Sequence, residues 1–301
     1  MKMKAAVMRA QGKPRPYAIS QPMTIETVDL DPPGPGEVLY KIVGAGLCHS
    51  DLSTIENLRP RRLPTIPGHE AAGIVEEVGP GVTGLKRGDH VVSMFVSSRG
   101  DCRYCDNGRP NLCQSSSAAR AEGTLVSGAR RLSLNGEPLH HYSGLSVFAQ
   151  YAVVSRSALI KIPEDVPLED AAIFGCAVVT GMGAVLNTAQ VPPGARMAVV
   201  GLGGVGMNAL MAGVVAGAER IGATFSFPHA AHVTDEKTIR GSYMGSCVPK
   251  RDIPRFIALC QRGRLPVHKL RSGFVTFEQI NEGFDKLADG AVLRQVPRPH
   301  A

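Results

Sequence analysis

No run of apolar residues in this 301-residue sequence approaches the roughly twenty needed to cross a bilayer. The start, MKMKAAVMRA, carries two lysines but no apolar core of signal-peptide length. Both absences argue against a membrane partner and for a cytoplasmic location. Internal repeats and low-complexity tracts are also missing, and disorder is not indicated, because 44% hydrophobic against 20% charged residues is ordinary for a soluble globular chain. The formal charge of +7 lacks any long basic block: only RPRR at 59–62 and the stretch from Arg294 to Arg298 stand out. Nucleic acid is therefore not an expected partner, and the milder consequence of the charge is a field that favours anionic ligands. Of the seven cysteines, five fall in metal-type motifs, which fits a reducing compartment. Cys247 and Cys260 read as incidental or buried thiols.

The length suffices for two domains. Up to about residue 160 the chain reads as short strands with frequent Gly and Pro punctuation: 4–8, 37–43, 71–78, 90–94 and 148–154. Such spacing predicts an all-β, barrel-like unit, and VGPGVTGLKRGD at 78–89 is a string of turn signals. From Leu168 the pattern turns helical, and the apolar strand MAVV at 197–200 leads into GLGGVG at 201–206 and an Ala/Met/Val helix ending at Gly217. A strand, a glycine turn and an apolar helix make the first half of a βαβ unit. Further on, 238–246 reads as a strand and 252–262 as a helix. Residues 276–287 read as an amphipathic helix with Phe277, Ile280, Phe284 and Leu287 on one face.

Three distant segments carry zinc-type ligands: GLCHSD at 46–51, GHE at 68–70 and GC at 175–176. A catalytic zinc takes three thiolate or imidazole ligands and leaves one position open, a set that Cys48, His69 and Cys176 would supply. Read singly, Cys48 and Cys176 are ordinary small apolar thiols and His69 a core histidine. Zinc has no redox states of its own, so hydride chemistry on such a site would call for a nicotinamide. The glycines Gly201, Gly203, Gly204 and Gly206 offer the backbone turn that lets a pyrophosphate approach a helix N-terminus. About twenty positions on, where a carboxylate for the ribose hydroxyls is expected, RIGATF at 220–225 has none.

Together with KAAV at 4–7, PPGPGEV at 32–38, CRYCDNGRPNLC at 102–113 and NEGF at 281–284, these motifs resemble the zinc-dependent alcohol dehydrogenases of the medium-chain dehydrogenase/reductase superfamily. The resemblance extends over most of the chain. It implies an α/β and β fold in three parts. These are a GroES-like β-barrel catalytic domain over 1–176, a truncated Rossmann-type parallel-sheet domain over 177–267, and a C-terminal segment over 268–301 that returns to the catalytic domain. A full six-stranded nucleotide domain takes about 130 to 150 residues, so about eighty residues of the family pattern are expected to be missing between Arg220 and Phe225.

The implied activity is hydride transfer between a primary alcohol/aldehyde pair and NAD(H) on a catalytic zinc, in a homo-oligomer. By the same resemblance, Asp51 holds the zinc-binding His69 from behind, and otherwise would be a helix-capping carboxylate. Glu70 sits behind the metal and can coordinate it transiently, and otherwise would belong to a buried ion pair. Ser50 accepts the alcohol proton. The family's relay histidine three residues beyond is Ser53 here, which leaves water, the cofactor or His49 for proton exit, although His49 more usually meets the pyrophosphate. Thr180 and Arg294 match positions at the nicotinamide end and the pyrophosphate. Cys102, Cys105 and Cys113 match three of the four cysteines of the structural zinc loop, whose first position is Arg99, and a guanidinium is no ligand. Asp101 or water would complete a tetrahedron, and a metal-free lobe is the other expectation. With the ribose carboxylate and several strands missing, NAD binding is expected to be weakened. The alternative function is a non-catalytic zinc-binding remnant with impaired dinucleotide binding. A zinc-free quinone reductase of the same superfamily is disfavoured, because such proteins lack this ligand set.

Overall fold

Strands dominate the N-terminal half because Val, Ile, Leu and Tyr recur there in short runs cut by Gly and Pro. The computed structural model describes residues 1–222 and 240–300. The chain divides into two units, Met1–Cys176 with Val267–Ala301, and Ala177–Pro266. In the first unit lie β1 (Lys2–Met8), β2 (Met23–Leu30), β3 (Glu37–Ala45), β4 (Thr65–Ile66), β5 (Ala71–Val78), β6 (His90–Ser93), β7 (Leu132–Leu134), β8 (Glu137–Pro138), β9 (His140–His141), β10 (Tyr151–Ser155) and β11 (Leu159–Lys161).

These strands form a six-stranded sheet ordered β8-β7-β2-β1-β4-β9 and a five-stranded sheet ordered β10-β3-β5-β6-β11. The bridge between Ala5 and Ala149 ties the two together, and their inner faces share one apolar core that includes Met8, Met23, Tyr40, Ile42 and Phe148. Strand β3 is buried along almost its whole length because it pairs on both edges, with Tyr40 opposite Ala152 of β10 and opposite Val75 of β5. The expected strand over 148–154 begins only at Tyr151. Phe148 uses its backbone instead to donate to the Pro67 carbonyl and accept from Ala6.

In the second unit, β12 (Arg196–Ala198) and β13 (Arg220–Gly222) pair in parallel around the 13-residue helix Gly204–Ala216. Among the described residues of this unit the sheet has these two strands. Helix Ala177–Gly183 packs on Gly204–Ala216, where a Cβ at Gly181 would overlap the Val205 carbonyl, and helix Pro249–Gln261 covers it further. The strand expected over 238–246 is corrected: in its described part, Arg240–Tyr243 is irregular and Met244–Ser246 is a tight turn. Met244, Gly245 and Ser246 all have positive φ, which extended backbone does not allow, and the turn wedges against the carbonyls of Val179 and Thr180. Thr238 and Ile239 lie outside the described residues, as do Ala223, Thr224 and Phe225 at the expected gap.

The last segment adds β14 (Arg271–Val275) and β15 (Arg294–Pro297), a parallel pair, to the first unit. Helix Ile280–Ala288 joins them and buries Ile280, Phe284 and Leu287. Its Asp285 carboxylate accepts from the backbone N–H groups of Tyr17 and Ala18 at 2.9 Å each, and Asn281 donates to the Met23 carbonyl at 2.9 Å.

Candidate metal centre

Antiparallel pairing of β3 with β5 sets Ala45 opposite Ala71, so the end of one strand and the start of the other share one edge of the sheet. The residues that follow β3 therefore meet the residues that precede β5, twenty positions on. Gly46 donates its N–H to the Glu70 carbonyl at 2.7 Å. A Cβ at Gly46 would overlap the Glu70 carboxylate, so any other residue there would have to displace that side chain from the cluster. The turn Ala172–Gly175 packs on β5 and β6 and delivers Cys176 to the same point. One ligand atom from each of Cys48, His69, Glu70 and Cys176 lies within 4.8 Å of all the others, and all four residues are buried.

Helix His49–Ile55 begins right after Cys48 and puts Asp51 in its first turn. His69 Nδ1 donates to Asp51 Oδ1 at 3.0 Å, with both side chains buried, and this bond leaves Nε2 as the ring nitrogen that a metal would take in exchange for its proton. His69 Nε2 and both Glu70 carboxylate oxygens have no hydrogen-bond partner. The ring of His69 is walled by Phe95 in an edge contact at 5.6 Å and by Tyr142 at 6.2 Å. Two sulfurs, an orphaned imidazole nitrogen and a carboxylate in a dry pocket are the donor set that suits zinc.

The charges support the same reading. The Cys176 thiol, with Arg294 and His69, holds Cys48 well below the ordinary thiol value, while Cys176 itself is pushed up by Cys48 and by burial. Burial lifts Glu70 to about 7 against the pull of Arg294. Arg294, expected at the pyrophosphate, is buried here: Nη1 donates to the Leu47 carbonyl at 2.9 Å, and Nε lies 3.4 Å from Glu70 Oε1.

Ser50 and His49 flank Cys48 without entering the ligand cluster. His49 is exposed, and the half-buried Ser50 accepts from Arg59 Nη1 at 3.5 Å. The Ser50 carbonyl accepts from Thr54 at 3.1 Å and from Tyr142 at 3.3 Å. The sequence reading notes Arg59 and Arg61 only as part of the RPRR run and assigns them no role at the site, and Tyr142 has no local signal.

In the second unit Gly201 has φ +85°, Gly203 caps the helix, Gly204 opens it, and a Cβ at Gly206 would overlap the Gly201 carbonyl. Gly201 and Gly203 are exposed, which leaves the helix N-terminus open to an anion. Thr180 is half-buried on helix Ala177–Gly183.

A second thiol cluster stands apart. Cys102, Cys105 and Cys113 bring their sulfurs within 4.8 Å of one another, with Cys113 buried and the other two half-buried. Backbone N–H groups of Gln114, Cys105 and Tyr104 lower the Cys102 thiol to about 7. Arg99 pairs with Asp101 at 3.1 Å, so the carboxylate that precedes Cys102 is engaged by the residue that replaces the fourth thiol.

Comparison with known proteins places this geometry. The alcohol dehydrogenase GroES-like domain matches residues 34–164. The NDMA-dependent alcohol dehydrogenase of Amycolatopsis methanolica is 33% identical over 374 positions, covering 98% of both chains. Since this chain has 301 residues, no fewer than 73 of those positions have no counterpart in it. The S-(hydroxymethyl)glutathione dehydrogenase of Escherichia coli is 42% identical over 222 residues, 73% of this chain and 58% of that one. Among solved structures, the alcohol dehydrogenase zinc-binding domain protein from Burkholderia ambifaria superposes with TM-score 0.89 at 30% identity, covering 99% of each chain. With the ligand cluster at the β3–β5 edge and two of these relatives matched along nearly its full length, the chain belongs to the zinc-type alcohol dehydrogenases of the medium-chain dehydrogenase/reductase superfamily.

Proposed function

We propose that Cys48, His69 and Cys176 hold one catalytic zinc, with Glu70 behind it, and that the chain acts there on a small-molecule alcohol or aldehyde while binding NAD weakly. The observation that carries this reading is the convergence of four buried donors on one point with His69 Nε2 lacking any other partner. Zinc bound there would supply a Lewis acid that polarises the substrate oxygen and makes an alcohol easier to deprotonate. Asp51 keeps Nε2 of His69 in its ligating form by accepting from Nδ1. Ser50 Oγ, two residues from Cys48, is the group proposed to take the alcohol proton, with the exposed His49 beside it as the route to solvent. The walls formed by Phe95 and Tyr142 exclude water from the imidazole. Free thiols at all seven cysteines fit a cytoplasmic location.

The second unit supports the weaker half of the proposal. Gly201, Gly203, Gly204 and Gly206 keep an anion-binding turn at a helix start, and Thr180 stands nearby in the same unit. Two strands among the described residues, however, make far less of a floor than two mononucleotide-binding halves require. Losing one charged hydrogen bond to the ribose costs roughly 1.5 to 3 kcal/mol, or about one to two decades in affinity. That same shortfall favours the second reading, a zinc-binding remnant without turnover.

Titration with NADH, followed by nicotinamide fluorescence, tests the proposal. The expected dissociation constant lies well above the micromolar range, with slow alcohol oxidation. Micromolar affinity together with ordinary turnover would overturn the weak-cofactor reading, and weak affinity with no turnover at saturating NAD would favour the remnant.

A further inference from the structure

Arg59 and Arg61 stand beside Ser50 and Tyr142 with no acidic partner among the described residues. Arg59 Nη1 donates to Ser50 Oγ at 3.5 Å, and the Arg61 guanidinium carbon lies 5.7 Å from the centroid of the Tyr142 ring. That ring is in turn 6.2 Å from the ring of His69, and its hydroxyl reaches the Ser50 carbonyl. Each arginine therefore touches a residue that flanks the ligand cluster. The neighbouring carboxylates are committed elsewhere: Asp51 to His69, Glu56 to the Tyr17 hydroxyl at 3.4 Å, and Glu122 to Arg62 at 2.9 Å. Arg62 thus differs from the other two members of its run in having a carboxylate partner; Arg61 Nη1 donates to the Pro60 carbonyl at 3.2 Å, and Arg62 Nε to that of Ala121 at 3.1 Å.

The loop that carries these cations is held in place. The Gln11 side chain donates to the Thr54 and Arg59 carbonyls at 2.5 and 3.3 Å and accepts from the Arg61 N–H at 3.0 Å. The Arg59 N–H donates to the Ser53 carbonyl at 3.0 Å, which folds the loop back on helix His49–Ile55. Arg61 Nε is buried and has no hydrogen-bond partner. Arg61 Nη1 is taken by the Pro60 carbonyl, so the donors left for a ligand are Arg61 Nη2 and the guanidinium of the exposed Arg59, two cations that together can hold one carboxylate at two points.

We propose that Arg59 and Arg61 form an anion subsite, so that the substrate is an alcohol bearing a carboxylate at the end remote from its hydroxyl. The inference rests on the reading that Cys48, His69 and Cys176 form the alcohol site. It gives the RPRR run a use and accounts for two arginines kept free of carboxylates next to Ser50.

Calorimetry on the zinc-loaded full chain at low salt tests it with three probes: 4-(hydroxymethyl)benzoate, benzyl alcohol and benzoate. The carboxylate-bearing alcohol is expected to bind roughly tenfold or more tighter than benzyl alcohol, as one charged hydrogen bond implies. That preference is expected to shrink with salt, to vanish in Arg59→Gln and Arg61→Gln, and to survive in Arg62→Gln, which serves as the folding and charge control. Equal binding of the two alcohols, no binding of the carboxylates, or a preference that persists in the Arg59→Gln, Arg61→Gln double variant would each overturn the proposal. Arginine-dependent binding of benzoate, with no gain from the hydroxyl, would uphold the anion subsite and overturn the alcohol reading of the metal centre instead.

Discussion

Arg294 Nε lies 3.4 Å from Glu70 Oε1, and both side chains are sealed from solvent behind the ligand cluster. A carboxylate in so dry a place is costly unless a cation or a proton offsets it. Arg294 is held there by a second bond, from Nη1 to the carbonyl of Leu47, the residue before Cys48. Strand β15 is thereby tied to the first ligand of the site. Arg294→Leu is expected to destabilise the fold by about 3 to 5 kcal/mol, the usual cost of stranding one half of a buried pair. The Arg294→Leu, Glu70→Leu double variant is expected to recover part of that loss. Urea denaturation of the parent, the two single variants and the double variant measures both, and a double-variant loss equal to the sum of the two single losses would show that the pair is not coupled.

In the proposed site Asp51 would act on the metal only through His69, so its removal should leave the ligand set intact and loosen its aim. For Asp51→Asn the expected outcome is a drop in zinc affinity of about tenfold to a hundredfold, the range found when such partners are removed. Competition against a chromophoric chelator measures this. Unchanged affinity would return Asp51 to the role of a plain first-turn carboxylate.

How much of this centre is readable from sequence depends on distance along the chain. Cys48, His69 and Cys176 are legible because each sits in a short motif whose glycines are needed for close approach, as the overlap at Gly46 shows. The antiparallel pairing of Ala45 with Ala71 then does the assembly, and no local pattern reveals it. Arg294 is harder: its contacts with Leu47 and Glu70 span more than two hundred residues, and a guanidinium suits an ion pair and a pyrophosphate alike. At Met244–Ser246 the strand expectation fails. These residues carry no turn signal beyond one glycine, yet packing against Val179 and Thr180 imposes positive φ on all three. Tertiary contact overrides strand propensity there.

The three-thiol lobe lacks one donor for a closed tetrahedral site. Metal held by Cys102, Cys105 and Cys113 is expected to exchange with a chelator well before metal at Cys48, His69 and Cys176. Arg99→Cys supplies a thiol at the missing position and frees Asp101 from its ion pair. That variant is expected to retain one more zinc per chain after dialysis against chelator, read by elemental analysis. Two tightly held zincs in the unmodified protein would contradict the expectation.

Acid stability should depend on a histidine outside both ligand clusters. His141 is buried on β9, its Nε2 accepts the Arg131 backbone N–H at 3.1 Å, and burial, aided by Arg131, pushes its pKa down to about 4. The folded chain therefore keeps this ring neutral while the unfolded chain takes up a proton near pH 6.5. Above pH 6.5 both states are neutral and the residue contributes no pH dependence. Between about 6.5 and 4 the unfolded state binds more protons, so stability falls as pH falls, by as much as about 3 kcal/mol for the whole shift. The carboxylates held below their ordinary values, Glu37 by Arg131 and Asp252 by Arg251 against the opposing effect of burial, lose their contribution at lower pH, below the usual carboxylate range. The two effects thus occupy different windows. His141→Gln can still accept from the Arg131 N–H but cannot charge, so its stability should fall less than the parent's between pH 6.5 and 5. Both proteins share the metal centre, so subtracting their urea midpoints at each pH removes any proton competition for His69. Parallel pH curves for the two would mean that His141 takes up its proton in the folded chain as readily as in the unfolded one.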